Sequence, residues 1–202
     1  NSLLPEQTKK PEYKFKKWSP ESWWEEFLND LNCPSYAIVH PGSRDSAPNL
    51  NAEQYTLIIR LLLENTSWTV LLTGISEEEK LVNELAAGFP KDRVKNSAGR
   101  FSLAELVSVI QNSSLMVTSS TGPLHLANAT GTPLLGFFCP AKPHTPIRWG
   151  PYDQQKWVVT PKIEQPETCQ LKKCHFGGCL QRLTELEITE VLCNQRLKEL
   201  KT

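Results

Sequence analysis

The segment from Leu115 to Pro140 leaves this chain the fewest options, because strand, turn, helix and strand follow one another there with each boundary marked by residue type. Leu115 to Thr118 is a brief apolar, β-prone run, and Ser119, Ser120, Thr121 and Gly122 break it with residues that cap helices and tolerate tight turns. Pro123 stands where a helix begins, since an N–H there would be unpaired in any case, and Gly131 with Pro133 marks the stop. The helix between them is predicted to run about two turns, with Leu134 to Phe138 as the next strand. A short helix starting at the end of a buried strand gathers unpaired amide donors and partial positive charge, which suits an anion. Hydroxyls on Ser119, Ser120 and Thr121 can add donors, and Gly122 admits a close ligand. The plain alternative is an ordinary capped turn.

Similar units flank this segment. Tyr36 to His40 is a buried-type strand that delivers His40-Pro41-Gly42-Ser43 at its carboxyl end, followed by a loop through Arg44 to Asn49 and a helix from Leu50 or Asn51 to about Glu64. Trp68 to Thr73 is the next strand, ending in Thr73-Gly74, and Ser76 with Glu77, Glu78 and Glu79 opens a helix. Those acids suit the helix dipole and read as helix-start electrostatics rather than catalysis. Val94 to Asn96 is a third strand, and Ser102-Leu103-Ala104-Glu105 is a capping-box pattern opening a helix to about Asn112. Beyond Cys139-Pro140 a long loop carries His144, Thr145 and Arg148-Trp149-Gly150-Pro151, before a strand at Trp157 to Thr160 and a helix from about Thr184 to Leu200. Repeated β-α units of this size predict an α/β fold, a doubly wound parallel sheet whose ligands gather outside the carboxyl ends of its strands.

Residues 1–34 divide from this as a polar linker plus an aromatic-rich helix, leaving 35–202 as the α/β domain with its C-terminal helix. Residues 1–17 are Lys-rich (Lys9, Lys10, Lys14, Lys16, Lys17) and read either as a linker or as a basic patch for peripheral contact with an anionic membrane. Ser19-Pro20-Glu21 is a helix start, and Trp18, Trp23, Trp24, Phe27, Leu28 and Leu31 give that helix an apolar face that predicts docking against something large. The 202 residues, 39% hydrophobic, suffice for one full core. Lys plus Arg and Asp plus Glu balance at 22 each, so nothing supplies the clustered positive field that nucleic-acid backbones require. With no apolar run of membrane-spanning length and no signal-peptide pattern, the chain is expected to be cytoplasmic.

Ser-Ser-Thr-Gly-Pro-Leu-His-Leu-Ala from Ser119, followed by Gly131-Thr132-Pro133 and an apolar strand, resembles the donor-site signature of the family 9 glycosyltransferases, which include lipopolysaccharide core heptosyltransferases. His40-Pro41-Gly42-Ser43 upstream and Arg148-Trp149-Gly150-Pro151 downstream fit the same family in order and spacing, over roughly residues 36 to 200. The resemblance implies a Rossmann-like fold, the C-terminal half of a GT-B architecture, whose N-terminal half supplies the acceptor site and the catalytic aspartate. A chain beginning at Asn1 that matches only the second half is therefore expected to be a fragment, its own catalytic residues unknown.

By the same resemblance, Ser43, Arg44, Thr73, Gly74, Gly99, Phe101, Ser119, Ser120, Thr121, Gly122, Pro123, Leu124 and His125 are the candidate donor-binding residues, with Arg100 and Ser102 as further candidate neighbours of the base or ribose. Arg148 and His144 are candidates for sugar or acceptor. Many relatives carry a cation late in the first loop, where this chain has Ala47-Pro48-Asn49, so Arg44 is the substitute, unless it merely pairs with Asp45. Many also carry Asp where this chain has Ser120. His125 either donates to the diphosphate or is a buried hydrogen-bonded histidine, and Trp149 either stacks on a sugar or packs.

The implied partners are a nucleotide sugar, ADP-heptose first, and a glycan or lipopolysaccharide acceptor, with no cofactor. The alternative is a non-catalytic nucleotide-sugar-binding module. No Asp-X-Asp motif suited to magnesium occurs, and no metal site is expected. Cys169, Cys174 and Cys179 with His175 leave zinc, a disulfide and reduced structural thiols open, their gaps being wider than common zinc pairs.

Overall fold

The computed structural model describes residues 21–31, 33, 35–44, 46–142, 144–152, 154–162 and 178–201. The Lys-rich segment 1–17, Trp18, the Ser19-Pro20 helix start, Asp45, Cys169, Cys174 and His175 lie outside them. The described elements are α1 (Glu21–Leu31), β1 (Tyr36–His40), α2 (Ala52–Asn65), β2 (Thr69–Leu72), α3 (Glu79–Ala86), β3 (Val94–Asn96), α4 (Leu103–Gln111), β4 (Leu115–Ser119), α5 (Gly122–Thr130), β5 (Leu134–Phe137), α6 (Pro146–Trp149), β6 (Val158–Val159), α7 (Glu185–Thr189) and α8 (Lys198–Lys201). A π-helical stretch, Glu190–Leu197, joins α7 to α8, so the expected C-terminal helix is one run with a widened middle.

The six strands form one sheet in the order β3-β2-β1-β4-β5-β6, every pair parallel. Parallel strands covered on both faces read as continuous apolar runs, as Tyr36–His40 and Leu115–Ser119 do with every residue buried. Side chains alternate along β1 between two apolar layers. Ala37 and Val39 join Tyr55, Ile58, Leu62, Val82, Ile188 and Leu192 on the face of α2, α3 and the C-terminal helix. Tyr36 and Ile38 join Phe27, Leu31, Val109, Ile110 and Ala127 on the face of α1, α4 and α5.

The aromatic face of α1 therefore covers this sheet itself. Phe27 stacks on Trp23 at 5.6 Å and meets Tyr36 and Phe101 edge-on at 5.9 and 5.8 Å. Trp23 and Trp24 are half-buried, and Leu28 stays exposed. Side-chain amides tie the outer pieces on: Gln54 Nε2 donates to the carbonyls of Leu180 and Leu183 at 3.0 and 2.9 Å, and Gln154 Nε2 donates to Thr132 O at 2.8 Å. No helix among the described residues is long and apolar enough to cross a membrane.

Candidate functional site

The strand order reverses between β1 and β4, where the chain leaves the sheet toward opposite faces and a crevice opens at the carboxyl ends. Two loops form its lips. The loop after β1 is pinned by Asn49, whose Nδ2 donates to Pro41 O at 2.6 Å while its Oδ1 accepts from the Tyr55 hydroxyl at 2.6 Å. Asn51 then caps α2, accepting from the Gln54 amide at 2.8 Å in a capping box. Within the loop Arg44 sits at φ +48°, a left-handed conformation uncommon outside glycine. Its amide donates to Glu78 Oε1 at 3.3 Å, and Glu78 Oε2 accepts from the Ile75 amide at 3.0 Å.

Two clefts meet at the start of α5. The larger, about 870 Å³, runs from His40, Ser43 and Arg44 past Thr73, Gly74 and Glu78 to Gly99. Its far wall is apolar, made by Phe101, Leu103, Leu106 and Leu126. The smaller, about 460 Å³, is lined by Ser120, His125, His144, Arg148 and Trp149. Ser46, Thr121 and Gly122 border both. Gly122 is open: a Cβ built there meets nothing within 4 Å. The opposite holds at Gly42, where a Cβ would collide with the Glu78 carboxylate, and at Gly99 (φ +68°), where it would collide with Ser76. Small residues at those two positions let the β1, β2 and β3 loops close around the large cleft.

The anion corner is leaner than its sequence suggests. Pro123 has no N–H to give, and the Leu124 amide already donates to Thr121 O at 3.1 Å. The Leu124 side chain is buried in the core, so Leu124 contributes no contact to a donor. Ser119 is also fully buried and lines neither cleft, because the strand continues one residue further than predicted and turns its side chain inward. The Thr121 hydroxyl pairs with that of Thr118 at 3.0 Å. What remains is the Gly122 amide at the helix start, the Ser120 side chain on the small-cleft side, and Arg44 across the large cleft.

Most other candidates lie along the two clefts. Ser43, Arg44, Thr73, Gly74, Gly99 and Phe101 border the large cleft with Pro123. His125, His144 and Arg148 share the small one. His125 is exposed rather than a buried hydrogen-bonded histidine, and its ring lies 6.2 Å from that of Trp149. Trp149 is 42% exposed with the Arg148 guanidinium 5.1 Å over its ring, so packing takes only part of its surface. Arg100 does not join: it turns away to pair with Asp30. Ser102 caps α4, where its amide donates to Glu105 Oε2 at 2.7 Å.

Several lining residues were not among the candidates, and His40 and Glu78 are the two with side-chain bonds inside the large cleft's wall. His40 is buried with Nδ1 3.0 Å from Thr73 Oγ1, and burial lowers its pKa against a smaller raising influence from Glu78. The signal for it was its place at the end of β1. Glu78 is the other: it does serve the start of its helix through Ile75, and its carboxylate also faces the cleft. Burial likewise lowers the pKa of His125 and of His144.

Of the cysteines, Cys33 and Cys139 are free thiols, and the described residues hold no cluster suited to a metal ion. The Cys179 thiol beside Cys139 lowers the pKa of Cys139 to about 7.

The fold has counterparts. In solved structures, the chain superposes on the ADP-heptose LPS heptosyltransferase II of E. coli with a TM-score of 0.67 at 20% identity, covering 90% of this chain and 53% of that one. The E. coli heptosyltransferase WaaC, solved with ADP, gives 0.62 at 22% identity, over 83% of this chain and 47% of that one. In sequence, lipooligosaccharide heptosyltransferase 2 of Haemophilus influenzae is 27% identical over 144 residues, 69% of this chain and 39% of its own length. The chain thus spans less than half the length of that relative and about half of those structures. The family model for glycosyltransferase family 9 (heptosyltransferase) matches residues 4–180, and with a parallel sheet, a crevice and a helix start where that family's motifs fall, the chain belongs to glycosyltransferase family 9.

Proposed function

We propose that this chain is the donor-binding half of an inverting glycosyltransferase. The nucleoside of a nucleotide diphosphate sugar lies in the large cleft, its base against Phe101, Leu103, Leu106 and Leu126, and its ribose hydroxyls donate to Glu78. The diphosphate crosses at Gly122 between Arg44 and the start of α5, and the sugar enters the small cleft. An acceptor hydroxyl attacks the anomeric carbon from the face opposite the diphosphate. The carbon–oxygen bond to the diphosphate breaks, the diphosphate leaves with both electrons, and a base removes the acceptor proton. Charge grows on the leaving group, so donors aimed at it stabilise the transition state more than the ground state. A helix start contributes about 0.3–1 kcal/mol exposed and up to about 2 partly buried, so the lean corner relies on Arg44 as well. No cofactor is invoked. ADP-heptose is the first candidate donor and a lipopolysaccharide core sugar the first candidate acceptor, in the cytoplasm.

The observation that carries this reading is the open Gly122 corner where the two clefts meet. Calorimetric titration with ADP tests it, using Gly122→Asp as the control. That side chain has room, so the thermal midpoint is expected to hold, while a carboxylate beside the diphosphate weakens ADP by at least about tenfold. Equal affinity in the two proteins would remove the site.

A non-catalytic binding module is favoured by one fact: no carboxylate occurs among the described residues of the small cleft to take the acceptor's proton. Release of ADP from ADP-heptose by the whole protein with acceptor present separates the two readings.

A further inference from the structure

Resting on that assignment of the two clefts, we propose that the small cleft takes the negatively charged group of an acidic sugar, a carboxylate or a phosphate monoester, against Arg148, His125 and His144.

The clefts differ in charge. The large one holds Glu77 and Glu78, acceptors suited to hydroxyls, beside the cation Arg44, whereas the small one has Arg148 and no acidic side chain among its described residues. Three elements bring nitrogen donors to it: His125 from the first turns of α5, His144 from the loop after β5, and Arg148 from α6. α6 is capped by Thr145, whose hydroxyl accepts from the Ile147 amide at 3.3 Å. Arg148 lies over the Trp149 ring and has no ion-pair partner among the described residues. Stacking fixes the plane of a guanidinium and leaves its N–H edge for a ligand, the geometry that matches carboxylate or phosphate oxygens in pairs. An imidazole always has at least one N–H to donate and becomes a double donor beside an anion, which favours its charged form. Ser120, between them and the diphosphate corner, is neutral and adds a hydroxyl. A neutral sugar uses the hydrogen bonds of such a wall and none of its charge. An acidic one uses both.

The charged group can belong to the donor sugar or to the acceptor, and the experiment has an arm for each. The imidazole Hε1 resonances of His125 and His144, assigned by single replacement, are followed by NMR during titration with glucuronate, glucose 6-phosphate and glucose. Both acidic sugars are expected to move both signals, and glucose to move neither. Calorimetry then compares ADP-glucuronate with ADP-glucose. A preference of roughly tenfold for the acidic donor places the charge on the donor. Equal donor affinities, with the free acidic sugars still binding beside saturating ADP-glucose, place it on the acceptor.

Arg148→Ala is expected to erase the acidic preference, and Ser120→Asp to reverse it. ADP binding and the thermal midpoint of each variant are recorded alongside, so a misfolded variant is recognised and replaced by Arg148→Lys. Imidazole signals that ignore both acidic sugars, or a preference that survives Arg148→Ala, overturn the inference even where ADP binds normally. Acidic sugars that move the signals of a protein that does not bind ADP would uphold the inference while removing the nucleotide assignment.

Discussion

Glu78 ties two loops together, with one oxygen accepting from the Arg44 amide and the other from the Ile75 amide, and it does so in the space above Gly42. Gly42→Ala is therefore expected to push the carboxylate out and release both amides. Hydrogen bonds to charged groups contribute about 1.5–3 kcal/mol each when well formed, and at half-exposed sites less, so a loss of about 1–3 kcal/mol is expected in urea denaturation. Adding Glu78→Ala to Gly42→Ala should cost far less than the sum of the separate changes, because both act on one contact. Fully additive losses would mean that the two residues do not meet. His40 gives a pH signature. Burial holds its pKa below the ordinary 6.5, so the unfolded chain takes up a proton near pH 6.5 that the folded one refuses. Stability is then lost as pH falls from about 6.5 toward the lower folded pKa, and His125 and His144, shifted the same way, add to it. His40→Gln should flatten the slope of thermal midpoint against pH between about 7 and 5; an unchanged slope would assign the effect to the other two.

At the scale of elements, α1 is a lid on the sheet rather than an appendage, since Phe27 and Leu31 are 2% exposed within the same apolar layer as Tyr36 and Ile38. Phe27→Ala is expected to cost about 3–5 kcal/mol, measured by urea denaturation; a loss below about 1 kcal/mol would make α1 dispensable to the fold. The helix and its aromatic face were legible in the sequence, because spacing on a helix is local. So were β1, β2, β4 and β5, written as apolar runs ended by turn residues, and the Ser102–Glu105 box. Legibility failed where the outcome depends on which way a side chain turns. Ser119, Ser120 and Thr121 look alike in sequence, yet the pleat buries the first, leaves the second at the small cleft and ties the third to Thr118. Glu78 looked like one of three helix-start acids, and only the approach of a separate loop shows what else its carboxylate holds. The widening over Glu190–Leu197 has no local marker that we can name.

For the molecule as a whole, the described residues make a six-stranded sheet with both faces covered and a crevice that contains every element of the proposed nucleotide site. Binding and turnover should therefore separate. The chain alone is expected to bind ADP, and ADP-heptose with acceptor to release ADP at a rate no different from buffer until an N-terminal half is joined to it. Steady release by the chain alone would show that the base lies within these residues. Ser46, Thr121 and Gly122 border the large and the small cleft alike. Under the proposed assignment, handle and cargo are read by different walls on either side of a narrow sill: refashioning α6 and its loop would change which sugar is carried and leave the hold on its carrier as it was.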